Sequence, residues 1–200
     1  MHWMFPILSR ATPRGDERVM MAAIALLNAG LLLRMIAEPW RSLQPRDSNA
    51  ALLVLSSVLQ AAACACFADD VGQCASGVGF DMPRLSRFFV RSALLHLVIG
   101  FGVGTVLLCV KAGVADPLLW VWLPAHVDAL LAGWMLQLAC GVGYWILPRL
   151  GVARRGRSWL AVMSFVLLNT GSALCLGSGA LRYVAPGEAS LTPLFAAGVA

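Results

Sequence analysis

Residues Leu123–Leu150 read LPAHVDALLAGWMLQLACGVGYWILPRL. A bilayer core takes about 20 helical residues, and this stretch is long enough and apolar enough to cross one. Yet it carries His126, Asp128, Gln137 and Tyr144, and it closes on Pro148-Arg149. Ionisable groups are expensive in hydrocarbon, so each one inside a span calls for a function. A bound cofactor is the candidate.

Composition agrees with a membrane chain. The sequence is 60% hydrophobic and 12% charged, with a mean hydropathy of +0.78. A soluble domain of this size carries about 25% charged residues. The net charge of +5 does not point to nucleic acid, because the arginines sit in short connectors between apolar runs and no basic stripe with interleaved aromatics stands outside them. Of the six cysteines, Cys64, Cys66, Cys109, Cys140 and Cys175 fall inside apolar runs and Cys74 beside one, with no CxxC pair. There they behave as small apolar residues. The start, MHWMFPILSR, lacks the basic flank and apolar core of a signal peptide.

The pattern predicts an all-α, polytopic transmembrane bundle with six hydrophobic segments. They cover residues 18–38, closed by Pro39; 48–67, ended by Asp69-Asp70; 86–110; 119–147; 158–177; and a last one from about 190 to 200. The last is half the length of a span. With alternating spans, ten basic residues fall on the side of the N-terminal tail and five on the other. Cytoplasmic loops carry the excess of Lys and Arg, so the N-terminal side is expected in the cytoplasm of an inner membrane, with His126 near the outer face.

An internal repeat underlies the order of segments. Trp3-Met4-Phe5-Pro6 matches Trp145-Ile146-Leu147-Pro148, and each is followed by an Arg/Gly connector. AIALLNAGLLL with Asn28 then matches SFVLLNTGSAL with Asn169, 141 positions later. Such self-similarity marks a repeating structural unit. The unit is expected to hold four helices: residues 1–80 are the remnant of a first unit, with two spans, and residues 81–200 a second whose last helix is cut short. The chain is thus expected to be part of a longer protein.

A helix turns about 100° per residue, so His126, Gly133, Gln137 and Tyr144 share one face, with Leu130 and Gly141 close to it and Asp128 nearly opposite. The preceding segment offers His96, then Gly100, Gly102 and Gly104. Gly100-xxx-Gly104 is the small-xxx-small spacing of close helix packing, and glycines beside a histidine leave room for a flat macrocycle. At 1.5 Å per residue the two histidines lie within roughly 10 Å of each other in depth, and histidines on adjacent helices can ligate a haem. Gln60, Gln137, Asn28 and Asn169 are expected to bond between helices, and Asp69-Asp70 to form a solvated loop. The chain has no phosphate loop, GxGxxG, GxSxG, HExxH or CxxCH, which leaves no signature for nucleotide, for a zinc enzyme or for covalent haem.

The stretch AHVDALLAGWMLQLACGVGYWILPRL resembles the haem-facing helix of the haem–copper oxidase catalytic subunit, the cbb3 type above all, with its His-x-His, Gly-Trp, Gly-x-x-Tyr-aromatic and Leu-x-Pro. MPRLSRFFVRSALLHLVIGFGVGTVLL resembles the helix before it in short oxidase-like membrane proteins. The resemblance covers residues 82–177. It implies a haem toward the outer leaflet with His126 as its axial ligand. It departs from the family at Asp128, where the second histidine would stand, and the three histidines of the chain are too few for two haems and a copper. The expectation is a haem-b-binding or degenerate haem-site membrane subunit of respiratory or nitrogen-oxide metabolism, without catalytic residues of its own. His126 would be the iron ligand and His96 a second ligand or pocket residue. Gly133 would give close approach, and Gln137 and Tyr144 hydrogen bonds. Its partners would be the lipid bilayer and other membrane subunits, with no nucleic acid. The alternatives are a cofactor-free scaffold or assembly subunit and a small-solute transporter. Against the transporter stand the absence of paired mid-membrane charges and the parallel sense of the repeats.

The orientation is open to a direct check. A reporter active only outside the cytoplasm should be active when inserted after Ala115 and silent after Arg155. The opposite pattern would invert the topology.

Overall fold

The computed structural model describes residues 16–43, 47–76, 82–147 and 158–184. All regular structure among them is helical. Five helices are long and apolar enough to cross a membrane: α1, Glu17–Leu43; α2, Asp47–Ser76; α3, Arg84–Ala112; α4, Pro117–Ile146; and α5, Ser158–Val184. That is the architecture of a multi-pass membrane protein. The expected sixth segment, the Trp3–Pro6 match and the Arg/Gly connectors lie outside the described residues.

Three helix ends differ from the sequence expectation. Pro39 does not close α1, which runs on to Leu43. A proline removes one backbone donor, and transmembrane helices tolerate this where neighbours hold the turn. Here Ser42 donates to the Glu38 carbonyl at 3.1 Å, and Arg41 Nε donates to the Lys111 carbonyl of α3 at 2.9 Å. Asp69-Asp70 is not a loop but a turn of α2. Gln73 donates to Asp69 across one helical turn at 2.7 Å, and Asp70 is buried. Helix α5 continues past Gly177 to Val184.

Successive helices pack antiparallel. Helix α1 lays Ala23, Gly30 and Ala37 inward. Gly30 meets Ser56 and Gln60 of α2, and Ser56 Oγ donates to the Gly30 carbonyl at 2.8 Å. In α2 and α3, Cys64, Val71, Val90, Leu94 and Leu97 form a core that Trp145 of α4 completes. Helix α5 lies on α4 and α3. Phe165 of α5 meets Phe89 of α3 edge-on at 5.1 Å between ring centroids.

Glycine makes the α3–α4 contact close along its length. A Cβ added at Gly104 would fall 2.7 Å from the His126 ring, at Gly100 2.5 Å from Leu130, at Gly133 2.4 Å from the His96 ring, and at Gly141 2.6 Å from Phe89 Cβ. Going down α3 the partners go up α4, so one antiparallel register holds over four turns. Each helix sends an imidazole into a glycine notch of the other. Helix α4 is not uniform along this contact. It opens as a 3₁₀ turn at Pro117–Trp122, with Asp116 Oδ1 capping Leu118 N at 2.9 Å. It then passes through an α turn and a π stretch, Ala129–Leu136, before Gln137–Ile146 resumes the α form. π stretches are rare and concentrate at functional sites.

The two copies of the LLN-x-G pattern can be compared in α1 and α5, which run in the same direction. Asn28 Nδ2 donates to the Ile24 carbonyl at 2.8 Å, and Asn169 Nδ2 to the Phe165 carbonyl at 2.7 Å. The amides thus have the same local geometry. The glycines do not share an environment: Gly30 is packed on α2, whereas nothing lies within 4 Å of a Cβ at Gly171.

These contacts predict a contrast. Gly133→Ala should destabilise the bundle by about 1–3 kcal/mol, the range for overpacking, because the His96 ring it meets is held by its own hydrogen bond. Gly171→Ala should be neutral or slightly stabilising. Thermal unfolding in detergent checks both. Equal effects at the two positions would contradict the packing described.

Candidate functional site

His126 follows Pro124 on the first α turn of α4 and points at α3. Its Nδ1 lies 2.8 Å from the Gly100 carbonyl, a group that can only accept. The imidazole therefore carries a proton on Nδ1, directed at that carbonyl. This is the state of a metal-ligating histidine, whose other nitrogen is fixed by a carbonyl or carboxylate.

Beside His126 lies a partly open cavity of 480 Å³ lined by residues of α1, α2, α3 and α4. That volume is within the range of small-molecule sites, about 300–1,000 Å³. Leu31, Phe101, Leu108, Leu123 and Leu130 give it apolar walls, and Ser57, Gln60 and Thr105 add polar groups. Arg34 and Lys111 also line it. Both pair with Glu38: Arg34 Nε at 2.9 Å on the same helix face, and Lys111 across from α3. Lys111 also stands 5.7 Å over the Trp120 ring, within cation–π range. Two cations against one carboxylate leave this end of the cavity positive.

His96 stands on the same helix interface at another level. It is buried, its ring fills the Gly133 notch, and its Nδ1 lies 2.8 Å from the Ser92 carbonyl. His126 is level with Gly104, eight residues further along α3, so the two rings are separated by about 12 Å along the helix axis. One metal ion would need both nitrogens within about 2 Å of it. The fold brings the two histidines to one seam but not to one metal ion.

Below His96 a polar network joins three helices. Ser92 Oγ donates to Asn169 Oδ1 at 2.5 Å, and Asn169 Nδ2 lies 3.4 Å from Gln137 Oε1. Gln137 is fully buried, and its Nε2 has no partner among the described residues. Gln137 and Asn169 do bond between helices as expected. Gln60 bonds Ser56 within α2 at 2.9 Å, and through it reaches α1. Among the described residues Asn28 bonds only within α1.

His126, Leu130, Gly133 and Gly141 meet α3 and Gln137 is buried against Asn169 of α5, but Tyr144 does not continue the face. Trp145 is the fully buried residue there, and Tyr144 is half-buried with no hydrogen bond to a described residue. The cause is the π stretch: bonds to the fifth residue back, such as Gln137 N to the Ala132 carbonyl, turn the chain less per residue than an α-helix does. Contacts after Gly133 therefore recur at every fourth residue. Gly102 faces open space. Asp128 stands near Cys175 of α5, away from His126, and its Oδ2 is buried without a partner among the described residues. Among the described residues no three His, Cys, Asp or Glu side chains gather as a metal site.

Sequence reasoning missed Arg34, Glu38 and Lys111 as one group, having assigned their charges to connector ends. Arg34 and Glu38 at positions i and i+4 carried the signal. No family model, curated protein or solved structure matches the chain.

Proposed function

We propose that the chain is an integral membrane subunit that holds one b-type haem in the cavity beside His126. In this account it works with other membrane subunits in respiratory or nitrogen-oxide metabolism. It sits in a bacterial inner membrane with its N-terminal side in the cytoplasm and the cavity toward the outer face. The observation that carries this reading is His126 itself. Its Nδ1 is fixed on the Gly100 carbonyl, and its side chain lines a 480 Å³ cavity, where a neutral ring would offer Nε2 to a metal.

The cavity residues suit the group. His126 would supply the axial nitrogen, and Phe101 and the leucines the apolar walls. Arg34 and Lys111 would supply positive charge for the haem carboxylates. When bound, haem supplies an iron that exchanges one electron. The chain's own part is to hold the imidazole in one tautomer, shield the site within four helices and balance charge through Glu38. His96, a level away, serves the Ser92–Asn169–Gln137 network and does not share the iron.

A second reading, the cofactor-free scaffold, has its own observation. Both imidazoles are satisfied on Nδ1 by backbone carbonyls and seated on glycines, which is what packing alone requires.

Absorbance separates the two. Purified protein should show a Soret band. His126→Ala should lose more than nine-tenths of it while still inserting, and Asp128→Asn should keep it. A colourless wild type, or a His126→Ala protein with an unchanged spectrum, would leave the scaffold in its place.

A further inference from the structure

Asn28 sits on the wrong side of α1 for everything else in the bundle. Ala23, Gly30 and Ala37, spaced by seven, are the buried line of that helix. At about 100° per residue Asn28 lies nearly opposite them. It is exposed, two residues from the middle of a 27-residue span. That is about 3 Å from the helix midpoint, too deep for a short side chain to reach the membrane surface. Its Nδ2 is used on the Ile24 carbonyl, and no described residue donates to its Oδ1. An amide there lacks a full set of partners among the described residues, and in a bilayer that is costly.

The apolar residues around it say nothing by themselves, since lipid covers Leu and Met as well as protein does. The amide among them does say something. Met21, Ala25, Asn28, Leu32 and Met35 recur at intervals of four and three, and all are exposed. This is a heptad seam with one polar residue at its centre, the arrangement that fixes register between paired helices. The matching amide in α5 shows how the chain uses this motif. Asn169, with the same bond to the residue four back, meets Ser92 and Gln137 of neighbouring helices.

We infer that the Asn28 face of α1 is a parallel homodimer interface, with the two Asn28 amides bonded to each other across a two-fold axis along the membrane normal. Two features select a second copy. An amide is both donor and acceptor, so two of them satisfy one another. Two copies inserted in the same direction also bring Asn28 to the same depth without further design, as a closed two-fold contact requires. A different partner helix would need its own polar group at that depth. The inference does not depend on haem.

The test uses the full chain in lipid vesicles, with dimer fraction read by energy transfer between labelled copies and by oxidative cross-linking. The wild type should dimerise, Asn28→Leu should dimerise about tenfold more weakly, and Asn28→Gln should recover most of the loss. Met35→Cys should cross-link two copies, whereas Leu181→Cys on α5 should not. The Met35→Cys result stands even if Asn28→Leu fails to fold, because it leaves the amide in place. A monomeric wild type, an Asn28→Leu protein that dimerises as well as the wild type, or cross-linking through Leu181→Cys alone would each overturn the interface.

Discussion

Everything distinctive in this bundle depends on the close approach of α3 and α4. Four glycines, Gly100, Gly104, Gly133 and Gly141, remove the side chains that would hold the helices apart. Water contributes no driving force between helices inside a bilayer, so packing and interhelical hydrogen bonds carry the association. The imidazoles enter at this point. A ring seated on a glycine gains contact over its whole face, and its Nδ1 is bonded to a backbone carbonyl in both cases, for His126 that of the neighbouring helix. For His126 the bond that orients the ring is thus also a contact that joins the helices.

Two regions of opposite character follow from that seam. Toward the end where α1 leaves the bundle, α1 and α2 complete a cavity with cations at one end and an imidazole in its wall. Toward the other end, α5 closes over Ser92 and Gln137 through Asn169. The π stretch of α4 lies between the two. Without its under-winding, Tyr144 would stand where Trp145 now packs against the α2–α3 core. Buried polar groups need partners in a medium without water, so Gln137 Nε2 and Asp128 Oδ2, which have none among the described residues, are costly points in the structure.

The helical membrane architecture was legible because apolar run length is a strong signal. The ends were less so. Pro39 and Asp69-Asp70 look like stops, but Arg41, Ser42 and Gln73 hold the helix through them with contacts that no local pattern reveals. The glycine spacing around His96 announced close packing and the structure has it. The face drawn from His126 was right as far as Gln137 and failed at Tyr144, because an ideal helical wheel contains no π turn. The Arg34–Glu38–Lys111 group was hidden for another reason: Lys111 comes from α3, 73 positions after Glu38.

The most direct measurement is the protonation state of His126 in the bilayer, read by nitrogen NMR of ring-labelled protein. The seam predicts a neutral imidazole with its proton on Nδ1, bonded to the Gly100 carbonyl, and a through-space contact between the ring and Gly104. A ring protonated on Nε2 alone, or one without contact to Gly104, would contradict the packing from which the site is built.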